Sequence, residues 1–64
     1  MYSEITKNTF YKVIDEDIPL KSYNVEREER AEKHYYNIGD DTVLLTIFNY
    51  VSCITQYYIR DINA

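Results

Sequence analysis

The chain lacks most of the residues that would staple a small domain or hold a metal. Its 64 residues include no Trp and only one Cys, one Gly, one Pro and one His. Because Cys53 is alone, no disulfide can form within the chain, and no Cys and His cluster has the spacing of a zinc site. A lone cysteine and the lack of a signal-peptide pattern predict a reducing, cytoplasmic location.

An excess of positive charge is also missing. Seven basic residues against eleven acidic ones give a formal net charge of −4. Direct binding to nucleic acid needs a basic stripe that displaces counterions, and anionic membranes attract basic segments, so the charge argues against both partners. A chain this short has a stability of roughly 3–5 kcal/mol without a staple, which favours a homo-oligomer or docking onto another protein.

The residues that catalysis would need are nearly absent. His34 is the only histidine, and we interpret it as a solvated residue near the end of a helix rather than a partner for Cys53. No Gly-rich phosphate loop or HExxH or CxxC motif is present. The sequence therefore predicts a protein that is not an enzyme and uses no cofactor.

An acidic run at 15–17 resembles part of a calcium-binding loop. With Glu26 it supplies acids at positions 1, 3 and 12 of such a loop. Pro19 and Leu20 then stand at positions 5 and 6, where an EF-hand places a ligand and a glycine. We therefore expect a solvated acidic turn and no metal site.

The first third of the chain predicts an extended segment. Residues 1–8 are polar and unpatterned, which indicates a loose terminus, and residues 9–20 are rich in aromatic and β-branched side chains around the acidic run. No repeat or linker divides the chain, so residues 1–64 are expected to form a single domain.

The middle of the chain favours a helix over 25–38. Asn24 is a suitable N-cap, and strong helix formers follow it up to Lys33. Two acid–base pairs have i,i+4 spacing, Glu26 with Arg30 and Glu29 with Lys33. Gly39 then stands where a helix commonly ends.

The last third is ambiguous, because its β-branched and aromatic residues favour strands while its periodicity favours a helix. The stretch 42–59 contains no Gly, Pro or Asp that would turn a hairpin. Its polar residues recur every three or four positions, which predicts an amphipathic helix over 41–62. These polar residues are Thr42, Thr46, Asn49, Cys53, Gln56, Arg60 and Asn63. A membrane span is the alternative, but the central Asn49 and Gln56 argue against it.

Together these elements predict a mainly helical α+β fold. A short N-terminal extended segment would pack on an antiparallel hairpin of helices at about 25–38 and 41–62, joined at Gly39 and Asp40. Facing residue numbers would then sum to roughly 79, which places Tyr35 near Leu44. A small all-β or β-rich domain is the alternative.

The eight tyrosines are the unusual feature of the composition. Tyrosine buries a large area with few rotatable bonds, and it is enriched at interfaces. We predict a partner-binding surface at the ends of the two helices, formed by Tyr35, Tyr36, Tyr57, Tyr58, Arg60 and Ile62. One member of each adjacent pair should face the core and the other should face outward.

The function that this surface predicts is non-enzymatic protein–protein interaction, as in a small adaptor, inhibitor or subunit. The Ile-, Asn- and Tyr-rich composition is typical of the AT-rich coding sequences of many viruses and phages. A self-associating acidic regulator and an inhibitor that mimics nucleic acid with its clustered acids are the alternatives. A membrane-associated peptide is a further, weaker one.

Overall fold

The computed structural model describes residues 1–15, 20–39 and 41–61, which form an antiparallel sheet with one helix on one face. The strand order is β1-β5-β4-β3-β2. The prediction of a mainly helical fold is wrong, and the small β-rich alternative describes the chain. In sequence order the elements are β1 (Ser3–Ile5), α1 (Lys7–Asp15), β2 (Leu20–Arg27), β3 (Ala31–Ile38), β4 (Thr42–Asn49) and β5 (Thr55–Asp61).

The predicted helix over 25–38 is instead most of the β2–β3 hairpin. The amide of Glu28 donates to the carbonyl of Ala31 at 2.8 Å and closes the turn between the strands. Glu26 and Lys33, which were each expected to pair with another residue along a helix, instead lie opposite each other across the hairpin. Lys33 Nζ also lies 2.9 Å from Glu28. Helix propensity is a weak preference, and strand pairing overrides it here.

The turn predicted at Gly39 is present, but it joins strands rather than helices. Gly39 has a φ of 57°, a left-handed conformation that glycine adopts without a steric cost. Residue numbers that face each other across β3 and β4 sum to 80, as in Tyr35 opposite Leu45. The antiparallel arrangement and nearly the correct register were therefore predicted with the wrong type of element. Asp40 lies outside the described residues.

The predicted helix over 41–62 is also wrong, because a turn at 50–54 divides it into β4 and β5. The side chain of Asn49 organises this turn, since its Oδ1 accepts from the amides of Val51 at 2.8 Å and Ser52 at 3.0 Å. Cys53 takes the left-handed position, with a φ of 59°. Asn and Ser form such turns by bonding to nearby backbone, so a hairpin forms here without Gly, Pro or Asp.

The N-terminal region contains the helix that was predicted as an extended segment. Residues 3–5 pair with β5, and Thr6 caps α1, because its Oγ1 accepts from the amide of Thr9 at 3.1 Å. Phe10, Val13 and Ile14 have the i, i+3, i+4 spacing of a helix stripe, and this stripe packs onto the sheet. Residues 16–19, which contain most of the acidic run, lie outside the described part of the chain.

The hydrophobic core lies between α1 and one face of the sheet, which we call the helix face. Phe10, Ile38 and Leu44 are buried there. The partly buried side chains around them are Ile5, Val13, Ile14, Tyr36, Tyr57 and Ile59. Within residues 1–15, 20–39 and 41–61, no helix has the length and apolar character needed to cross a membrane.

Candidate functional site

Strand alternation places the two adjacent tyrosine pairs on both faces of the sheet. Tyr36 and Tyr57 lie on the helix face, with ring centroids 5.7 Å and 5.1 Å from that of Phe10. Successive side chains on a strand point to opposite faces, so Tyr35 and Tyr58 lie on the other side. One member of each pair thus packs in the core and one does not.

The face away from α1, which we call the open face, has a central apolar row. Val43, Leu45 and Ile47 of β4 form this row, and Leu45 lies directly between Tyr35 and Tyr58 in the register. Leu45 is only 5% exposed although the one described helix packs on the other face. The flanking tyrosines therefore exclude water from Leu45, and burial raises the pKa of the Tyr35 hydroxyl.

The open face has charges of both signs. The register places Glu4 beside Tyr58, Glu26 beside Lys33 and Arg60 beside Val43, and the Glu28 carboxylate lies 2.9 Å from Lys33 Nζ. Three acids and two bases therefore lie around the apolar row. Of the residues predicted to bind a partner, Tyr35, Tyr58 and Arg60 share this face, Tyr36 and Tyr57 do not, and Ile62 lies outside the described residues.

The helix face is only partly covered by α1, and a groove of about 390 Å³ lies beside the helix. Aromatic side chains, including Tyr23 and Phe48, line it together with His34 and the hydroxyl-bearing Thr46 and Thr55. The groove is thus mostly aromatic, with hydroxyls and one imidazole as polar groups.

A network of side-chain hydrogen bonds runs along the edge of this groove. His34 Nδ1 bonds with the Tyr23 hydroxyl, and His34 Nε2 lies 2.8 Å from Glu32 Oε1. The Tyr50 hydroxyl donates to Glu32 Oε2 at 2.8 Å. The prediction of a solvated His34 is therefore wrong, since the side chain is 22% exposed and both ring nitrogens have partners.

This network of hydrogen bonds joins β2, β3 and the β4–β5 turn. The His34 imidazole stands between the Tyr23 hydroxyl and the Glu32 carboxylate. The hydrogen bond from the Tyr50 hydroxyl lowers the pKa of the Glu32 carboxyl most. Burial opposes this effect, and His34 and Arg27 lower the pKa further. Sequence reasoning missed this hydrogen-bond network because its members lie on β2, β3 and the β4–β5 turn. The spacing of Glu32 and His34 by two, which puts both on one strand face, was its one sequence signal.

Acidification should weaken the fold partly through Glu32. A carboxyl whose pKa is lowered by folding binds a proton more readily in the unfolded protein. Its contribution to the free energy of unfolding is therefore fully present above the ordinary pKa of 4.5, and it is lost as the pH falls through the lowered value. In urea unfolding across pH 3 to 7, E32Q should lose less stability at acidic pH than the unmodified protein. E29Q, at an exposed turn position, should retain the original acid dependence; equal profiles for E32Q and the unmodified protein would contradict the assignment.

The acids do not form one continuous surface among the described residues. Strand alternation sends Glu26 to the open face and Glu32 to the helix face. No group of three or more His, Cys, Asp or Glu residues within the described ranges is arranged to hold a metal ion. Strand alternation thus divides the middle acidic cluster between the two faces of the sheet.

Comparison with protein-family models, with curated proteins and with solved structures finds no match to this chain. Its function must therefore be inferred from its own residues and contacts.

Proposed function

We propose that the protein is a non-enzymatic, self-associating acidic module whose open face packs against the open face of a second copy. The observation that carries this proposal is the apolar row of β4 between Tyr35 and Tyr58, on a sheet face that no described helix covers. Leu45 is already shielded from water, but Val43, Ile47 and the two tyrosine rings are only half-buried, and such apolar surface gains free energy when it is removed from water. A second sheet face packed on it would bury the row.

The charge pattern favours a second copy as the occupant. Most protein oligomers are symmetric, so in a two-fold interface the same patch meets itself. A patch of uniform negative charge would repel its copy, but the open face has Lys33 and Arg60 beside its three acids, Glu4, Glu26 and Glu28. The apolar row can therefore approach itself while the surrounding acids and bases pair across the interface.

The small core supports the same proposal. Only Phe10, Ile38, Leu44 and Leu45 are buried hydrophobic residues in the described part of the chain. Such a core supplies only about 3–5 kcal/mol at this chain length, and association adds stability by mass action. Cys53 is a free, exposed thiol, which fits an intracellular, reducing setting for the module.

Sedimentation equilibrium across a concentration series tests the proposal. The mass should rise with concentration from 7.7 kDa to at least twice that value. I47E places a carboxylate in the half-buried apolar row, opposite Lys33, whose ammonium already contacts Glu28. Its circular dichroism spectrum and thermal unfolding are therefore measured beside its mass, to show that the protomer stays folded. Because the carboxylate must lose water at the interface, association should weaken by about 2 kcal/mol or roughly 30-fold in Kd, the magnitude of an interface hot spot.

The matched control is I54E, the same substitution at an exposed position of the β4–β5 turn. It should leave the mass unchanged from that of the unmodified protein. A mass of 7.7 kDa at every concentration, or equal association of I47E and the unmodified protein, would contradict the proposal.

A further inference from the structure

The strand β2 is a long and exposed edge of the sheet. It pairs with β3 on one side only, and all of its residues are exposed. The opposite edge is β1, which has only three residues. Very short edge strands are a common protection against unwanted pairing, and β2 lacks that protection.

The backbone of β2 has groups that point away from β3. The Glu28 amide bonds to the Ala31 carbonyl, which makes Glu28 and Ala31 a hydrogen-bonded pair. Such pairs alternate along an antiparallel ladder, so Glu26 and Asn24 also bond toward β3. The amides and carbonyls of Tyr23, Val25 and Arg27 therefore point outward, where another strand could bond to them.

The side chains of this edge are unusually apolar for an exposed strand. Tyr23 is 47% and Val25 37% exposed, and the register places both on the helix face, beside the groove. A bulge between Leu20 and Ser22 interrupts the start of the strand. The regular part that can extend the sheet therefore runs over 22–27.

We propose that β2 pairs antiparallel with β2 of a second copy, around a two-fold axis at Val25, and that the two sheets become one continuous sheet of twice five strands. In this register Tyr23 lies opposite Arg27 of the second copy, and Asn24 lies opposite Glu26 of the second copy. All three outward-pointing residues, Tyr23, Val25 and Arg27, then form hydrogen-bonded pairs.

The sequence of β2 favours its own copy as the partner strand. The register at Val25 opposes no like charges and sets an aromatic ring against a guanidinium, a favourable cross-strand contact. Moving the axis to Asn24 would bring Lys21 opposite Arg27, which is unfavourable, and would run the ladder into the bulge.

This edge is independent of the open face. When two edge strands pair antiparallel about Val25, the two-fold axis that relates the copies is perpendicular to the sheet. The α1 helices of both copies therefore lie on the same side of the combined sheet, and both open faces remain free. Edge pairing and open-face packing can therefore occur together, and their combination gives an assembly of four copies. Either contact can also fail without the other.

Disulfide trapping tests the edge pairing directly. In a C53S background, two copies of V25C should have their cysteines opposite each other, with Cα atoms about 5.5 Å apart, within the range of a disulfide. Under mild oxidation V25C should form a covalent dimer at least about ten times faster than E26C, whose two copies are displaced along the strands. Cys53 of the unmodified chain, which is exposed, gives the rate for random collision.

A mixture provides the second measurement. N24C and E26C are each made in the C53S background. A mixture of the two variants should form mixed disulfide dimers, because Asn24 faces Glu26 of the second copy, whereas neither variant should form dimers when it is alone. V25C should also cross-link in an I47E background, where open-face packing is weakened. If V25C links no faster than E26C or Cys53, and the mixture yields no mixed dimer, β2 does not pair with its copy and the inference is overturned.

Discussion

F10A should leave the protein largely unfolded at 25 °C. Phe10 is 3% exposed and is the buried residue of the helix, with its ring in contact with Tyr36 and Tyr57. Replacing a large buried aromatic with alanine costs about 3–5 kcal/mol, because apolar area is lost and a cavity remains. A domain of this size has only about that much stability in total.

Thermal and urea unfolding followed by circular dichroism measures this effect, with Y11A as the matched control on the same helix. Tyr11 is 48% exposed, and its ring packs edge-on against Phe10, so its truncation should cost about 1 kcal/mol, well below the cost of F10A. F10A should lack a cooperative transition at low denaturant, whereas Y11A should retain one close to that of the unmodified protein. Equal midpoints for the two variants would mean that α1 does not anchor the core through Phe10.

The sequence predicted one long-range feature of the fold, the reversal of the chain at Gly39. The spacing from Gly39 fixes which residues face each other whether the flanking elements are helices or strands, so the predicted sum of 79 lies close to the observed 80. The flanking elements themselves were wrong, because the local preference of residues 25–38 for helix is worth only tenths of a kcal/mol per residue. Ladder pairing with neighbouring strands outweighs it.

The region 42–61 shows why periodicity alone misled. Its β-branched and aromatic residues favoured strands, and this preference proved correct. The polar spacing of three and four arose from residues on both strands and in the turn between them. The turn was overlooked because Asn49 was counted as a polar position of a helix and Ser52 was given no role, whereas both side chains accept from nearby backbone amides.

The opposite error occurred at the N-terminus. The aromatic and β-branched residues of 9–14 suggested an extended segment, yet Phe10, Val13 and Ile14 have helical spacing behind the Thr6 cap. The groove and the hydrogen-bond network of Tyr23, His34, Glu32 and Tyr50 could not be predicted from the sequence. They depend on the neighbours that strand order brings together, which local sequence does not specify.

The tyrosine pairs should separate stability from association. Y36A and Y57A remove rings that pack on Phe10 in the core, so each should cost about 3 kcal/mol or more of protomer stability. Y35A and Y58A remove half-buried rings that shield Leu45 on the open face, so each should cost less protomer stability than the core variants, about 1–2 kcal/mol. As interface anchors, however, they should weaken association by about 2 kcal/mol or more.

The most direct measurement compares Y57A with Y58A, which alter adjacent residues on opposite faces of β5. Both variants are followed by thermal unfolding at low concentration, where association is absent, and by sedimentation equilibrium at high concentration. The account predicts that Y57A loses most of its protomer stability, while Y58A keeps a cooperative transition at a clearly higher temperature than Y57A and associates at least about 30-fold more weakly than the unmodified protein. Equal melting points, or a Y58A protein that associates as strongly as the unmodified one, would contradict the open face as the self-association surface.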